Sequence, residues 1–437
     1  MSGTITGGAG VGYYPVAEAE TYNTAYKNAT TTLASTTVTE EQYTNAYNAL
    51  KTANEDENFT INMPVEGVYY TIVSACGDGR GGQLMYAAGE NAMYFANDKA
   101  YEDAENSWIR PEALWTFTAE GYMKNLQTGC YVSTSGWGAQ LTLVEDDAKV
   151  VSIEPLATLN GQVLLKPGGG YPLHAQVSGS KIVGYSNENN ASAWYIVEVD
   201  MSTIQHSFTI GQYRHAGLYL NYATKIPEGV KVYMAHTSDE EEGVVIADEL
   251  DGTILPARTA VIVKGAADTY NFKYTTDEYD GTNNLKENLL GGSAYLKYQQ
   301  VKKQGNRCCV FGQKNGEVGL YKNYVQYVDA NGSTTVEEGE GEQKVVIADY
   351  KNSDNGTHFK ISPNKIYFEY DPITVSNATA FTFRLNDKTT GLDRLMMDGD
   401  TVIYDLYGRR LVEIVAPGFY VINGKKIYVT EKMIGNK

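Results

Sequence analysis

Short runs rich in tyrosine, valine and threonine recur along the chain and are separated by glycine-containing turns. In runs such as residues 381–385, apolar and polar positions alternate with the two-residue period of a strand. The 437 residues include 35 tyrosines and 44 glycines, which fits a succession of strands and turns. The pattern predicts a mainly β protein, in which a short N-terminal helical hairpin precedes a β-trefoil and then β-sandwich modules.

Helical spacing of apolar residues is confined to the N-terminal region. It covers residues 17–34 and 39–53, and Thr39 with Gln42 forms a capping-box sequence at the start of the second stretch. These stretches predict a helical hairpin within residues 15–60, which is either a spacer or the tail of another domain. Residues 1–14 are rich in glycine and are predicted to form a flexible leader.

A threefold repeat occupies residues 61–200. Its first strands are predicted at residues 68–73, 121–126 and 162–166, and its second strands at 83–87, 130–133 and 171–175. Its closing strands are predicted at residues 114–117, 150–153 and 193–196. Three such units predict a β-trefoil, because each repeat completes its core only against its neighbours.

This repeat resembles the ricin-B-type lectin family, whose repeats also end in a tryptophan-containing strand. The family's Gln-x-Trp motif is altered here, because Ala113 and Ser192 occupy the glutamine position and the middle repeat has no tryptophan there. The family's sugar-binding triad therefore cannot be transferred to this chain. We expect Trp115 and Trp194 to be core residues.

Two other tryptophans are candidates for contact with a sugar. Trp108 lies in a polar insertion of the first repeat, and Trp137 lies in a loop between two glycines. Sugars stack their apolar C–H face on an aromatic ring, while nearby polar side chains bind the hydroxyl groups. The alternative is that both rings pack down over the trefoil. The candidate hydrogen-bonding residues are Asp78, Arg80, Asn106 and Arg110.

The C-terminal residues 391–437 contain short predicted strands and an Asn423-Gly424 hairpin turn. With residues 404–409 and 417–420, this sequence resembles the C-terminal module of secreted and surface proteins of Gram-negative gut and oral anaerobes, which is related to type IX secretion sorting domains. The resemblance implies a secreted or cell-surface location. No signal peptide precedes the chain, so we expect a processed or truncated form of a longer protein.

Residues 201–390 are predicted to form one larger β-domain. The segments 213–222, 226–233 and 255–265 resemble a β-sandwich module that precedes the C-terminal module in the same exported proteins. The resemblance implies an accessory domain without catalytic residues. It also implies that the whole chain is the C-terminal accessory region of a longer secreted glycan-processing protein.

The formal net charge of −18 argues against nucleic acid and anionic membranes as partners, since both require a basic surface. Solubility alone also accounts for such a charge. No run approaches the roughly 20 apolar residues of a membrane helix. The expected partner is a glycan or a host or bacterial surface polysaccharide, and protein–protein contacts are the alternative.

Motifs for catalysis or cofactor binding are not found in the sequence, so no enzyme activity, cofactor or metal is expected. Cys76 and Cys130 either form a disulfide or remain free thiols. Acidic loops at residues 277–281 and 329–332 offer oxygen ligands but lack the twelve-residue calcium loop. Two hypotheses follow: a non-catalytic glycan-binding or adhesion protein, and a structural surface protein that binds no glycan.

Overall fold

The structure is a computed structural model of the chain. It describes residues 3–88, 92–95, 102–103, 108–133, 136–156, 160–185, 190–237, 244–300, 307–314, 317–321, 327–328, 334–335, 358–370, 380–386, 403–405, 410–411, 417–422 and 425–429.

Two helices form the predicted N-terminal hairpin. Helix α1 spans Val16–Ala34, and helix α2 spans Glu40–Glu55. The predicted capping box is present, because Thr39 Oγ1 accepts from the Gln42 amide and the Thr39 amide donates to Gln42 Oε1. This exchange satisfies two backbone groups that would otherwise be unpaired at the helix start.

The N-terminal segment packs against the trefoil. Tyr14 and Tyr22 both stack on Phe59, with ring centroids 4.4 and 5.0 Å apart, and all three rings belong to the trefoil core. The Ile5 amide donates to Asn23 Oδ1 on α1, and Ile5 is buried. Buried contacts therefore hold Ile5 and Tyr14 of the N-terminal segment, while the flexible leader at residues 1–14 and the hairpin spacer at residues 15–60 stay predictions.

The trefoil is built from strands β1 to β14. They are β1 (Tyr69–Ser74), β2 (Met85–Ala88), β3 (Ala92–Phe95), β4 (Glu102–Asp103), β5 (Trp108–Ile109), β6 (Leu114–Phe117), β7 (Met123–Asn125), β8 (Tyr131–Val132), β9 (Leu143–Val144), β10 (Val151–Pro155), β11 (Val163–Pro167), β12 (Leu173–Gln176), β13 (Lys181–Gly184) and β14 (Trp194–Glu198).

Six of these strands form a closed barrel. They pair in the order β10-β11-β14-β1-β6-β7, and an antiparallel bridge between Tyr122 and Val150 joins the two ends. Each predicted repeat contributes two barrel strands and one hairpin, namely β2–β3, β8–β9 or β12–β13. Closure leaves the barrel without free edges. This pairing is that of a β-trefoil, so the predicted fold class is confirmed.

The chain continues into a second β-rich region. Its strands are β15 (Gln205–Ile210), β16 (His215–Leu218), β17 (Thr224–Lys225), β18 (Lys231–Thr237), β19 (Val244–Glu249), β20 (Ile254–Leu255), β21 (Val261–Lys264), β22 (Asp268–Tyr274), β23 (Leu290–Ser293), β24 (Lys297–Gln300), β25 (Arg307–Lys314), β26 (Glu317–Tyr321), β27 (Tyr327–Val328), β28 (Thr334–Thr335), β29 (His358–Ile361), β30 (Lys365–Tyr370) and β31 (Ala380–Asn386).

A nine-stranded sheet dominates this region, with the order β16-β21-β18-β19-β31-β26-β25-β30-β23. Along its third strand, β18, successive side chains alternate between two hydrophobic clusters. Val232 and Met234 pack in one hydrophobic cluster, whereas Tyr233 and Ala235 pack in another. Side chains that alternate along a strand point to opposite faces, so both faces of this sheet are covered.

The last strands form a small four-stranded sheet with the order β33-β32-β34-β35. These strands are β32 (Ile403–Asp405), β33 (Arg410–Leu411), β34 (Gly418–Ile422) and β35 (Lys425–Val429). Ile422 pairs with Lys425, as expected for a hairpin with a two-residue connection. The predicted turn residues 423–424, and Gly408 and Arg409 of the resembling motif, lie outside the described residues.

The trefoil and the region after it both contribute to one of the hydrophobic clusters. Leu114 and Leu126 of the trefoil pack in the same cluster as Leu220, Leu255 and other residues of the following strands. Removal of either part would expose these leucines to water. The predicted domain limits at residues 200 and 390 stay predictions, and experiments on binding therefore need the full chain.

Candidate functional site

Trp115 and Trp194 are buried at equivalent places in the first and third repeats. The Trp115 indole N–H donates to the Met85 carbonyl at 3.1 Å, and that of Trp194 donates to the Leu173 carbonyl at 2.9 Å. Both carbonyls lie on the first residue of the repeat's second strand. These two tryptophans are core residues, as predicted, and neither is accessible to a ligand.

Trp137, by contrast, is 61% exposed. A bridge to Gly184 fixes its backbone, and a second bridge joins Gln140 to Val183. The loop between β8 and β9 is therefore attached to strand β13 of the next repeat. This places the indole on the Tyr185 ring, with centroids 5.7 Å apart and an angle of 24° between the planes. One face of the indole rests on tyrosine, and the remaining surface faces solvent.

His174 continues the row beyond Tyr185. The two ring centroids are 4.7 Å apart, and His174 Nδ1 lies 3.0 Å from Ser192 Oγ. Burial lowers the pKa of His174, and the nearby Arg80 guanidinium lowers it further. The imidazole is therefore neutral at pH 7. Ser192 occupies the altered glutamine position of the repeat, where it now orients this histidine.

Asp78 and Arg80 reach the same row from the first repeat. The Arg80 Nε donates to both Asp78 oxygens, at 2.9 and 3.1 Å, and its Nη1 donates to the Ala175 carbonyl beside His174. The hydrogen bonds from Arg80 hold the pKa of the Asp78 carboxyl well below its usual range. Asp78 is thus an ionised acceptor, half of whose side chain remains exposed.

We call this surface the Trp137 ridge, and it consists of Trp137, Tyr185, His174, Arg80 and Asp78. All three trefoil repeats contribute to it. It combines an exposed aromatic ring with a paired cation and anion, which together can accept and donate hydrogen bonds without a large net charge. These are the parts that a sugar ring requires, a flat apolar surface beside polar groups.

The other predicted site residues are not brought to this ridge by any described contact. Arg110 is exposed and directly precedes a 3₁₀ turn at Pro111–Ala113. Trp108 lies on strand β5, which pairs with β4, and nothing is described of its side chain. Asn106 lies outside the described residues. Tyr185 and His174 were absent from the sequence-based site, since no local motif marks them.

The predicted acidic loop at residues 277–281 has a structural role in its described contacts. Asp280 accepts from the Thr253 amide at 2.8 Å, the Thr253 hydroxyl at 2.6 Å and the Ile254 amide at 3.2 Å. The Asp280 carboxylate therefore connects the loop at residues 277–281 to residues 253–254 by hydrogen bonds. Among the described residues, no group of three or more His, Cys, Asp or Glu side chains is placed to hold a metal ion.

The cysteines do not form the disulfide that was one alternative. Cys76 and Cys130 are both buried, and no disulfide joins them. The Cys130 thiol donates to the Tyr295 hydroxyl at 3.4 Å. Across the described part of the chain, no helix is long and apolar enough to cross a membrane.

A scan against protein-family models and a search of curated proteins both give no match to this sequence. Solved structures that are similar include a Macrolepiota procera ricin B-like lectin in complex with lactose, at 16% identity and a TM-score of 0.26 over 32% of this chain and 100% of the lectin.

Two plant proteins are also similar to the chain. A non-toxic homologue of type II RIPs from Momordica charantia, in complex with α-methyl-D-galactoside, has 14% identity and a TM-score of 0.21 over 67% of this chain and 95% of its own. The agglutinin from Abrus precatorius has 12% identity and a TM-score of 0.24 over 71% and 98%. The β-trefoil assignment rests on the strand pairing of the chain itself.

Proposed function

We propose that the chain is a non-catalytic carbohydrate-binding protein and that the Trp137 ridge is its binding site. The observation that carries this proposal is the exposed Trp137 ring, which is held flat on Tyr185. Single exposed apolar residues are common on protein surfaces, so the support for the proposal is that this ring is fixed in place on Tyr185 and not merely exposed. The fixed ring is prepared to stack on the C–H face of a sugar without further loss of side-chain freedom.

The charges of the ridge, which lie beyond Tyr185 and His174 from Trp137, favour an uncharged glycan. Arg80 and Asp78 form an ion pair, so their formal charges cancel, and His174 is neutral near pH 7. Hydroxyl groups can accept from the guanidinium and donate to the carboxylate. A strongly anionic glycan would instead meet a chain of net charge −18.

The cellular setting belongs to the same proposal. The C-terminal resemblance supports export, and a secreted or surface-attached protein would meet host or bacterial polysaccharides directly. In this setting the chain would be the accessory region of a longer secreted glycan-processing protein. Adhesion to such a polysaccharide follows from the same ridge.

The proposal is tested with the full-length chain on a glycan array, followed by calorimetry with the glycans that bind. Trp137→Ala should weaken binding by about five- to 150-fold, which corresponds to the roughly 1–3 kcal/mol that an aromatic ring contributes when it stacks on a nucleic-acid base. Trp137→Phe should retain part of the affinity. Tyr47→Ala is the matched control, because Tyr47 is a similarly exposed aromatic residue on helix α2, at 59%.

Unchanged affinity in Trp137→Ala would refute the assignment of the ridge. A folded chain that binds no glycan would instead favour the second candidate, a structural surface protein. One observation favours that candidate: the hydrophobic cluster to which the trefoil and the following region both contribute would make the pair a rigid spacer.

A further inference from the structure

A cleft lies where the trefoil meets the following β-region. Its volume is about 590 Å³, which falls within the range of small-ligand sites. The trefoil side contributes Tyr131, Glu145 and Asp146, and the other side contributes Tyr219 and Arg258. No residue of the Trp137 ridge lines this cleft.

The two walls of the cleft are fixed to each other by direct contacts. The Gln127 side-chain amide donates to the Ala294 carbonyl at 2.7 Å, and the Tyr295 hydroxyl donates to Glu145 at 2.9 Å. Tyr295 itself is buried in the trefoil core, although the strands before and after it in the chain, β23 and β24, belong to the following region. A cleft with walls held in this way needs no rearrangement to accept a ligand.

Arg258 is held in place with hydrogen-bonding capacity to spare. Its backbone is left-handed, with a φ of 58°, and its amide donates to the Leu220 carbonyl at 2.8 Å. Its Nε donates to Asn221 Oδ1 at 3.1 Å. In the described part of the chain its two terminal guanidinium nitrogens have no hydrogen-bond or ion-pair partner, and Asp146 likewise has none.

The lining determines the chemical class of the ligand. One guanidinium and two carboxylates share the cleft, so neither an anion nor a cation finds a surface of a single opposite charge. Hydroxyl groups satisfy both kinds of side chain, because they accept from Arg258 and donate to Asp146. Most of the surface that lines this cleft is polar, so hydrogen bonds to hydroxyl groups would dominate binding here.

A second cavity of about 490 Å³ lies next to the cleft and shares Tyr131 and Asn221 with it. Its lining includes Tyr69, Lys124 and Tyr274, so tyrosines again accompany a polar group. The Lys124 ammonium lies 5.1 Å from the centre of the Tyr131 ring and supports that ring between the two cavities. We call these two neighbouring cavities, which have Tyr131 and Asn221 as common lining residues, the junction groove.

We propose that this junction groove binds a short, linear, uncharged oligosaccharide, with sugar units on both sides of Tyr131. The site is separate from the Trp137 ridge and does not depend on it. The chain would then bind glycans at two places, and the second would exist only where the trefoil and the following region are joined.

The test is calorimetry of the full-length chain with four neutral probes: cellotetraose, xylotetraose, maltotetraose and chitotetraose. We expect at least one to bind, and to bind at least about tenfold more tightly than its disaccharide, because only the longer chain spans both cavities. Arg258→Ala and Asp146→Asn should each weaken this binding by about tenfold or more. Trp137→Ala should leave it within about twofold.

Arg214→Ala is the matched control for Arg258→Ala. Arg214 is also an exposed arginine with a left-handed backbone, at a φ of 59°, and it does not line the groove. The proposal is overturned if no probe binds the folded chain, or if Arg258→Ala and Asp146→Asn bind as the wild type does. It is also overturned if Trp137→Ala alone removes binding, a result that would leave the ridge as the binding site.

Discussion

Replacement of Trp194 by phenylalanine tests the threefold construction of the trefoil. Trp194 is fully buried, and its indole N–H donates to the Leu173 carbonyl, just as Trp115 donates to Met85 in the first repeat. Phenylalanine keeps an aromatic ring in the core but removes both the donor and part of the volume. The variant therefore separates the contribution of the indole from general hydrophobicity.

The expected loss of stability has two parts. Withdrawal of the donor leaves a buried carbonyl without this partner, which costs about 1–3 kcal/mol. Phenylalanine is smaller than tryptophan by about 40 Å³, and at about 24 cal/mol per Å³ the cavity costs about 1 kcal/mol. The free energy of unfolding should thus fall by about 2–4 kcal/mol.

Urea denaturation followed by far-ultraviolet circular dichroism measures this change. Trp115→Phe should lose a similar amount of stability, because its site is the equivalent one. Trp137→Phe is the control and should stay within about 0.5 kcal/mol of the wild type, since that ring is exposed. A Trp194→Phe variant as stable as this control would refute the account of the core.

Three further predictions concern other parts of the molecule. Burial lowers the pKa of His206 to about 4. The free energy of unfolding should therefore be highest above about pH 6.5 and should fall by up to about 3 kcal/mol as the pH is lowered to 4. His206→Gln should remove this part of the pH dependence, as measured by denaturation at a series of pH values. Gly129→Ala should destabilise the chain more than Gly67→Ala, as measured by urea denaturation. Both glycines have positive φ, but a Cβ at Gly129 would lie 2.1 Å from Asn221 Nδ2, whereas a Cβ at Gly67 would meet open space. Tyr295→Phe should lower the free energy of unfolding by about 1–2 kcal/mol in the same assay, because it removes a hydroxyl that both accepts and donates a buried hydrogen bond.

The fold could be predicted where the signals are local or periodic. The capping box at Thr39 and Gln42 marks the start of α2, and the repeated strands, two of which close with a tryptophan, indicate a trefoil. The packing of the N-terminal segment could not be predicted in this way. Its glycines indicate flexibility, while the contacts that order it come from Phe59 and from trefoil residues distant in sequence.

The candidate site was predictable only in part. Trp137 between two glycines is a local signal, and Asp78 and Arg80 lie in one short turn. The contact of Trp137 with Tyr185 joins two repeats through a β-bridge, and no sequence motif encodes it. Tyr295 illustrates the same limit, since it completes the trefoil core from 165 positions beyond Cys130.

Acrylamide quenching of tryptophan fluorescence, with and without a glycan selected on the array, tests the central claim most directly. The buried Trp115 and Trp194 are shielded from the quencher, whereas Trp137 is exposed. If the Trp137 ridge is the binding site, the glycan will reduce quenching, and the reduction will disappear in Trp137→Phe. Saturating glycan that leaves quenching unchanged, or protection that persists in Trp137→Phe, would contradict the account.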